Sequence, residues 1–148
     1  MKLLASSVLA LSLAGCSLVD NDIPTSKVPS VVKNAFEQQY ANAMDVEWEK
    51  SMKNFKVEFE ITNVDHAVLY NPEGQLLMGK QDIPVAELPA PVADKIALDY
   101  PDHHIDDVER IEVDGRVLYQ VELDGSVRDR KMVYTADGQE ETSFSYWD

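Results

Sequence analysis

Two stretches of this chain carry the same pattern of residues. FKVEFEITNVDHAVLYNPEGQLL at positions 55–77 is similar to YQVELDGSVRDRKMVYTADGQEE at positions 119–141. Ahead of each stretch, apolar residues recur at every fourth position, which places them on one face of a helix. They are Val28, Val32, Phe36 and Tyr40 in the first copy, and Leu88, Val92, Ile96 and Tyr100 in the second. A repeat of this length predicts two copies of one structural unit, neither of which buries much apolar surface alone.

Beyond each predicted helix the period of the apolar residues changes to two, which indicates strands with one buried face. The alternation begins at Val46 in the first copy and at Val108 in the second, so these two residues are matched. It continues through residues 55–61 and 111–123. A fourth strand is predicted at the end of each copy. Its apolar residues are Leu76 and Met78 in the first copy, and Phe144 and Tyr146 in the second.

Glycines mark the turns between these strands. Four of the six glycines either follow Asp or end the NPEG sequence at residues 71–74, and both contexts favour hairpin turns with positive φ. They are Gly74, Gly115, Gly125 and Gly138. The sequence therefore predicts an α+β fold of two tandem units, residues 27–80 and 81–148. Each unit is a helix plus four antiparallel strands, and the two units can share one sheet.

This arrangement resembles the PepSY-like proteins, a family related in fold to the beta-lactamase inhibitor protein. The resemblance covers residues 23–148 and is carried by IPTSKVPSVVKNAFEQQY, FKVEFEI and AVLYNPEGQLL in the first unit, and by IPVAELPAPVADKIALDY, YQVEL and KMVYTADGQ in the second. It implies an extracytoplasmic protein with its helices on one face of the sheet and an open, often concave, opposite face. It also implies binding or inhibition without catalysis. No motif matches an inhibitory contact, so no functional residue is transferred.

The amino end resembles a bacterial lipoprotein signal. A charged start, an apolar run and the sequence LAGC predict a signal peptide over residues 1–15, cleaved before a lipidated Cys16. The alternative is an ordinary secretory signal that ends near an idle cysteine. Residues 16–26 are polar and predict a short tether. Ser17 favours sorting to the outer membrane, so we expect a periplasmic or cell-surface lipoprotein that contacts the membrane only through its lipid.

The charge of the chain excludes some partners. Its formal net charge is −14. Nucleic-acid binding relies on Lys and Arg to neutralise phosphates and is therefore disfavoured. Docking on an anionic membrane surface is disfavoured for the same reason. Cationic partners and metal ions remain open, as does acidity that serves only solubility.

Alternation along the strands predicts an acidic sheet face that points away from the helices. Val57, Phe59, Tyr119 and Val121 are expected to point toward the helices. The candidate binding residues on the other side are Glu47, Glu49, Lys56, Glu58, Glu60, Glu112, Gln120 and Glu122, together with Trp147 as an exposed aromatic residue. Such a face can steer a basic peptide or protein surface onto the sheet. The alternative is the solvated polar face of an ordinary antiparallel sheet.

Motifs for metal binding and catalysis are weak. DHHIDD at residues 102–107 offers His103, His104 and Asp106 as candidate ligands, but adjacent ligands point in different directions and we expect a solvated loop. No nucleophile elbow, phosphate-binding loop or dinucleotide fingerprint is present in the sequence. We therefore predict no cofactor and no enzyme activity, although the many carboxylates leave a carboxylate-based hydrolase open.

These patterns together predict a lipid-anchored, non-catalytic binding module of the cell envelope, which engages a protein or peptide through its acidic sheet face. The alternative is a protein that binds a cation such as calcium, or a structural envelope lipoprotein whose acidity is its working feature.

Overall fold

The computed structural model describes residues 21–148. The predicted signal peptide, Cys16 and residues 17–20 of the predicted tether lie outside the described residues. Two helices are present, α1 (Ser30–Gln39) and α2 (Ala90–Asp99), and each follows a single 3-10 turn, at Thr25–Lys27 and Val85–Glu87. The strands are β1 (Met44–Ser51), β2 (Asn54–Ile61), β3 (Val64–Tyr70), β4 (Leu76–Asp82), β5 (His103–Val113), β6 (Arg116–Gly125) and β7 (Arg130–Thr135).

All seven strands form one antiparallel sheet in the order β1 to β7. Strand β4 of the first unit pairs with β5 of the second, from Met78 opposite Val113 to Asp82 opposite Glu109. The two units therefore share a continuous sheet, as the repeat predicts. At the outer edge of β1, Ile23 N donates to Trp48 O at 2.8 Å and Lys50 N donates to Asn21 O at 2.9 Å. The described end of the predicted tether thus lies against the sheet.

Each unit has its own cluster of buried side chains, built on one helix. The α1 cluster contains Val28, Val32, Phe36, Trp48, Phe55, Val57, Phe59, Val68 and Tyr70. The α2 cluster contains Leu88, Val92, Ile96, Val108, Val121, Leu123, Met132 and Tyr134. The ring of Phe36 meets those of Trp48 and Phe59 edge to face, with centroids 5.4 and 5.0 Å apart. Burial of these apolar side chains is the main source of stability in each unit.

The strand residues of both clusters lie on one side of the sheet, which we call the core face. Residues paired directly across antiparallel strands project to the same side. Val57 is paired with Val68, Val68 with Gly79, and Gly79 with Glu112. Glu112 and Val108 are four residues apart on β5 and share a side because side chains alternate along a strand. We call the other side the opposite face.

Two hairpin glycines lie against the first turns of the helices. Gly74 and Gly138 have φ of +80° and +85°, as predicted, and a Cβ on them would come within 3.0 Å of the Val31 oxygen and 2.6 Å of the Pro91 oxygen. Glycine is required there both for the backbone conformation and for the close approach. Gly125 ends β6 at the start of the β6–β7 connection, but the positive φ predicted for it is wrong.

The register corrects the predicted match between the first strands of the two units. Trp48 is paired with Val57 in β1–β2, and Val108 is paired with Val121 in β5–β6. Trp48, not Val46, is therefore the counterpart of Val108. Val46 lies in the β-bulge of β1, where the register shifts between Met44 and Glu47, and a pattern of apolar letters does not reveal a bulge.

The second hairpin is longer than the first. The β1–β2 pairing ends at Ser51 opposite Asn54. The corresponding pair in β5–β6 is Ile111 opposite Leu118, and two further pairs follow it before the turn. The second unit therefore has an apolar pair where the first has a polar one.

The predicted fourth strand of the second unit is wrong. After β7 the chain makes a single bridge, at Tyr134 and Glu140, and Glu141 N donates to Val133 O at 2.7 Å. Residues 142–148, which we call the crossing segment, then leave the sheet edge and pass over the opposite face. Phe144 and Tyr146 pack against Ile111, Leu118 and Val133, which are buried on that side. This second layer replaces an eighth strand.

Candidate functional site

The opposite face carries a groove lined mainly by carboxylates, which we call the acidic groove. Its volume is about 480 Å³. Its acidic lining residues are Asp45, Glu47, Glu58, Glu60, Asp65, Asp82, Asp107 and Glu109. Eight acidic residues and one lysine, Lys80, line the groove, so it presents a large excess of negative charge. Fields of one sign in a concave site raise the local concentration of ligands of the opposite sign.

Strand register explains why these carboxylates meet. Glu47 lies opposite Glu58 on the neighbouring strand, and Asp82 of β4 lies opposite Glu109 of β5. Like charges at directly paired positions repel each other and weaken a sheet. The carboxylates are therefore held together by the apolar packing of the core face, against their own repulsion. Residues that oppose stability in this way are typical of binding sites.

One end of the groove contains a partly buried group of charges. Lys80 Nζ lies 2.6 Å from Glu109 Oε1, and both side chains are largely buried. Burial raises the pKa of Asp82 to about 6, and the charges of Asp107 and Glu109 add to the increase. Burial also raises the pKa of Asp107, again with a contribution from Glu109. A single lysine therefore leaves this group short of positive charge.

The same group has a geometry that can hold a cation. One carboxylate oxygen from each of Asp82, Asp107 and Glu109 lies within 4.8 Å of the other two. Calcium takes carboxylate oxygens as ligands. A cation there would compete with Lys80 for Glu109. Sequence reasoning included Asp107 in DHHIDD but missed Asp82 and Glu109 as its neighbours, because the cluster comes from two strands that are adjacent only across the boundary between the units.

Most of the predicted binding residues lie on the opposite face. Glu47, Glu49, Lys56, Glu58, Glu60 and Glu122 are there, in rows defined by the strand register. Lys56 is 8% exposed, and its Nζ lies 2.7 Å from Glu58 Oε1 and 3.5 Å from Glu49 Oε2. Burial alone would lower the pKa of Lys56, but the two carboxylates outweigh it and raise that pKa.

The predicted orientation of Glu112 is wrong. Glu112 is paired with Gly79 and Val117 on the core face, where its carboxylate binds the guanidinium of Arg110 at 2.6 Å. The prediction assumed that Ile111 and Val113 point toward the helix with Val108. They lie on the opposite face, where the crossing segment covers apolar side chains.

The predictions that Gln120 lies on an open face and that Trp147 is exposed are wrong. Gln120 is fully buried, and Trp147 is partly buried. The side-chain amide of Gln120 donates from Nε2 to Trp147 O at 2.9 Å, and its Oε1 accepts from Trp147 N at 3.0 Å. Gln120 Nε2 also donates to Glu109 Oε2. The amide thus binds the main chain of Trp147 at two points, as a neighbouring strand would.

The weak metal candidates of DHHIDD do not form a cluster with each other. The segment is the start of β5 and not the predicted loop. His103 and His104 therefore project to opposite sides of a strand. His103 Nε2 lies 3.2 Å from Arg128 O, and its ring meets that of Tyr100 edge to face. In the described part of the chain, the group of carboxylates that converges is the one around Asp82.

A second cleft, of about 590 Å³, opens beside the core face. Tyr40, His66, Gly79, Arg110 and Glu112 are among the residues that line it. Burial raises the pKa of Tyr40, with a contribution from the charge of Glu112, and burial lowers the pKa of His66. This cleft combines apolar walls with an internal ion pair, and no pattern in the sequence indicates it.

Comparison with known families identifies the fold. The family model described as beta-lactamase-inhibitor-like, PepSY-like matches residues 17–78 and, a second time, residues 70–139. The chain belongs to the PepSY-like family. The two matches fall on the two units, and the resemblance expected from the sequence is confirmed.

Solved structures show the same architecture as this PepSY-like chain. A Bacteroides eggerthii protein described as periplasmic superposes with a TM-score of 0.72 at 18% identity, covering 76% of this chain and 85% of that one. A protein of Bacteroides fragilis described as BLIP-like gives a TM-score of 0.64 at 16% identity, with 76% and 82% covered. No curated protein matches the chain. Among the described residues, no helix of the PepSY-like protein is long and apolar enough to cross a membrane.

Proposed function

We propose that this PepSY-like protein is a non-catalytic binding module of the bacterial cell envelope, which engages a basic segment of another protein in its acidic groove. The observation that carries the proposal is the convergence of eight carboxylates on one side of the sheet. Such a groove attracts Lys and Arg side chains and raises the rate of association. It would equally repel nucleic acid and anionic lipid.

A lipid anchor would hold the module at the membrane. We infer that Cys16 carries a lipid that anchors the chain, with outer-membrane sorting favoured by Ser17. Both helices would cover the core face and leave the opposite face toward partners. The periplasmic description of the B. eggerthii protein is consistent with an envelope location.

The groove is tested by reversing charges that form no ion pair with Lys56 or Lys80. Glu47→Lys, Glu60→Lys and Asp65→Lys are combined in one variant. The matched control carries Glu37→Lys, Glu73→Lys and Glu87→Lys, three exposed positions outside the groove with the same total change in charge. Both are compared with the unchanged protein for capture of partners from an envelope extract.

A partner retained by the unchanged protein and the control, and lost from the groove variant, supports the proposal. Retention by all three proteins would show that the groove is not the binding surface. Loss from both variants would attribute binding to net charge alone, which also contradicts a specific groove.

The second candidate function is cation binding by Asp82, Asp107 and Glu109, favoured by the approach of their oxygens to within 4.8 Å. Calcium titration by calorimetry tests it. Asp82→Asn should abolish binding, whereas Lys80→Met should strengthen it, since Lys80 competes for Glu109. Asp129→Asn, which is not among the groove lining residues, is the control. Equal heats from all four proteins, including the unchanged one, would exclude a site at this group.

A further inference from the structure

Polar side chains of the sheet bind the main chain of the crossing segment. Gln120 binds the N–H and the carbonyl of Trp147. Lys80 Nζ donates to the same carbonyl at 2.8 Å, and Lys56 Nζ donates to Asp148 O at 3.2 Å. We call Gln120, Lys80 and Lys56 the backbone clamp. Contacts to main-chain atoms do not depend on side-chain identity, so the clamp can hold any extended peptide.

Side chains of the crossing segment supply the selective contacts. Phe144 and Tyr146, two positions apart, rest on the apolar residues Ile111, Leu118 and Val133. The Tyr146 hydroxyl donates to Glu109 Oε2 at 3.4 Å, and burial together with the charge of Glu109 raises the pKa of Tyr146. Lys131 binds the Asp148 carboxylate.

The crossing segment is much less buried than the surface that it covers. Each of residues 142–148 is exposed or partly exposed. Beneath it, Gln120 and Ile111 are 0% exposed, Leu118 1% and Val133 4%. Segments with few buried side chains open locally at low cost.

We propose that the strip formed by the backbone clamp and the apolar patch is a peptide-binding site, and that the crossing segment is its internal occupant. The partner is an extended segment of another polypeptide, with two aromatic residues two positions apart and an acidic residue shortly after them. The clamp binds the partner's main chain, the apolar patch takes its aromatic rings, and Lys131 binds its carboxylate. The crossing segment competes at the high effective concentration of a tethered ligand, and so gates the site.

This inference goes beyond the proposed function. It concerns a strip that shares Lys80 and Glu109 with the acidic groove, and a ligand of acidic, aromatic character, whereas the groove is proposed to take a basic one. The two experiments change different residues, so failure of the peptide experiment would not contradict the groove, and failure of the groove experiment would not contradict the strip.

The experiment uses the full chain and a labelled peptide with the sequence TSFSYWD, that of residues 142–148. A release variant, Phe144→Ser with Tyr146→Ser, weakens the internal occupant while the clamp stays in place. Fluorescence anisotropy should show at least about tenfold tighter peptide binding to the release variant than to the unchanged protein. A peptide with serine at both aromatic positions should bind about tenfold more weakly.

The clamp itself is tested by adding Gln120→Leu to the release variant. Binding should weaken by about tenfold, because two main-chain hydrogen bonds are lost. Gln38→Leu, at an exposed position of α1, is the matched control and should leave binding unchanged. If the folded release variant binds the peptide no better than the unchanged protein, or if Gln120→Leu has no effect, the proposal is overturned.

Hydrogen exchange on the unchanged protein gives a second readout that does not depend on the folding of any variant. The amide of Trp147 should exchange at least about tenfold faster than the paired amides of β6, since the crossing segment must open without unfolding the sheet. Equal exchange rates would show that the crossing segment leaves only on global unfolding, and the strip would then have no route to a partner.

Discussion

The two units have matching helices and matching cores, yet their opposite faces differ. In the first unit the hairpin ends at Ser51 and Asn54, and the opposite face is polar and borders the acidic groove. In the second unit the hairpin runs two pairs further than the corresponding Ile111 and Leu118, and its opposite face is covered by the crossing segment. The apolar contacts of the crossing segment are made with the second unit, and only its last two residues reach lysines of the first.

This difference shows which parts of a duplicated unit are free to diverge. The helix, the core strands and the glycines that approach the helices recur because each unit needs them to bury its own core. The opposite face is not needed to bury that core, so one copy can carry charged residues where the other carries an apolar patch. The four predictions below test that contrast, from the largest expected effect to the smallest.

Leu118→Asn gives the second unit the residue that the first has at the corresponding place. We expect it to lower the free energy of unfolding by about 3 kcal/mol, because Leu118 is 1% exposed and a buried apolar side chain is lost. The reciprocal Asn54→Leu should change it by less than about 1 kcal/mol. Urea denaturation measures both. Similar losses from the two variants would mean that the two hairpin ends are equally important to stability.

Gly138→Ala and Gly74→Ala compare the contacts between hairpin and helix in the two units. We expect losses of about 2–3 kcal/mol at Gly138 and about 2 kcal/mol at Gly74, since both have positive φ and Gly138 lies closer to a carbonyl oxygen. Gly115→Ala is the control, because its φ is +71° but a Cβ would meet nothing within 4 Å. We expect Gly115→Ala to lower the free energy of unfolding by about 1 kcal/mol, which measures the cost of a positive φ alone. A loss of stability at Gly115 as large as that at Gly138 would show that the contact between hairpin and helix does not contribute.

Asp82→Asn tests the charged boundary between the units. Because the pKa of Asp82 is raised to about 6 in the folded protein, the folded state binds its proton more tightly than the unfolded state does. Stability from this group is therefore greatest below about pH 4 and falls as the pH rises through about 6. At pH 7 the variant should be more stable by about 1 kcal/mol, after allowance for solvent screening.

Thermal unfolding between pH 4 and 7 measures this effect, with Glu37→Gln on α1 as the control for loss of one charge. The difference between Asp82→Asn and the unchanged protein should grow through this range, while the control should run parallel to the unchanged protein. A constant difference for Asp82→Asn would contradict a raised pKa at this position.

Lys131→Ala should have the smallest effect. Lys131 binds the Asp148 carboxylate, but both side chains are largely exposed, and exposed ion pairs contribute little. We expect a change below about 0.5 kcal/mol in the free energy of unfolding, similar to that of the exposed Lys53→Ala in the first unit. A loss several times larger would mean that the crossing segment is a fixed part of the second unit and not a displaceable occupant.

Sequence reasoning succeeded where a pattern reports a local constraint. The helical spacing at Val32 and Phe36, and again at Val92 and Ile96, predicted side chains that are buried at the centres of the two clusters. Three of the four predicted hairpin glycines have positive φ. The alternation in β2 placed Glu58 and Glu60 on the face away from the core. Each of these follows from the period of one element.

Prediction failed where a residue of one type can be buried on either face of the sheet, or where contacts join distant parts of the chain. Ile111 and Val113 are apolar and alternate with Glu112, so the period places Glu112 on the face away from the core, whereas Ile111 is the residue buried on that face. The acidic cluster of Asp82, Asp107 and Glu109 was missed, because only the pairing of β4 with β5 makes these residues neighbours.

The sequence by itself determined two units, their helices, seven of the eight predicted strands and the acidic character of the chain, because these depend on the type and spacing of residues along the chain. The tertiary structure decided which carboxylates converge, that Gln120 is buried, and that residues 142–148 cross the sheet instead of extending it. Those outcomes depend on distant contacts, such as that of Lys56 with Asp148, 92 residues away. The period of a strand gives the alternation of its two faces, but only packing decides what covers each of them.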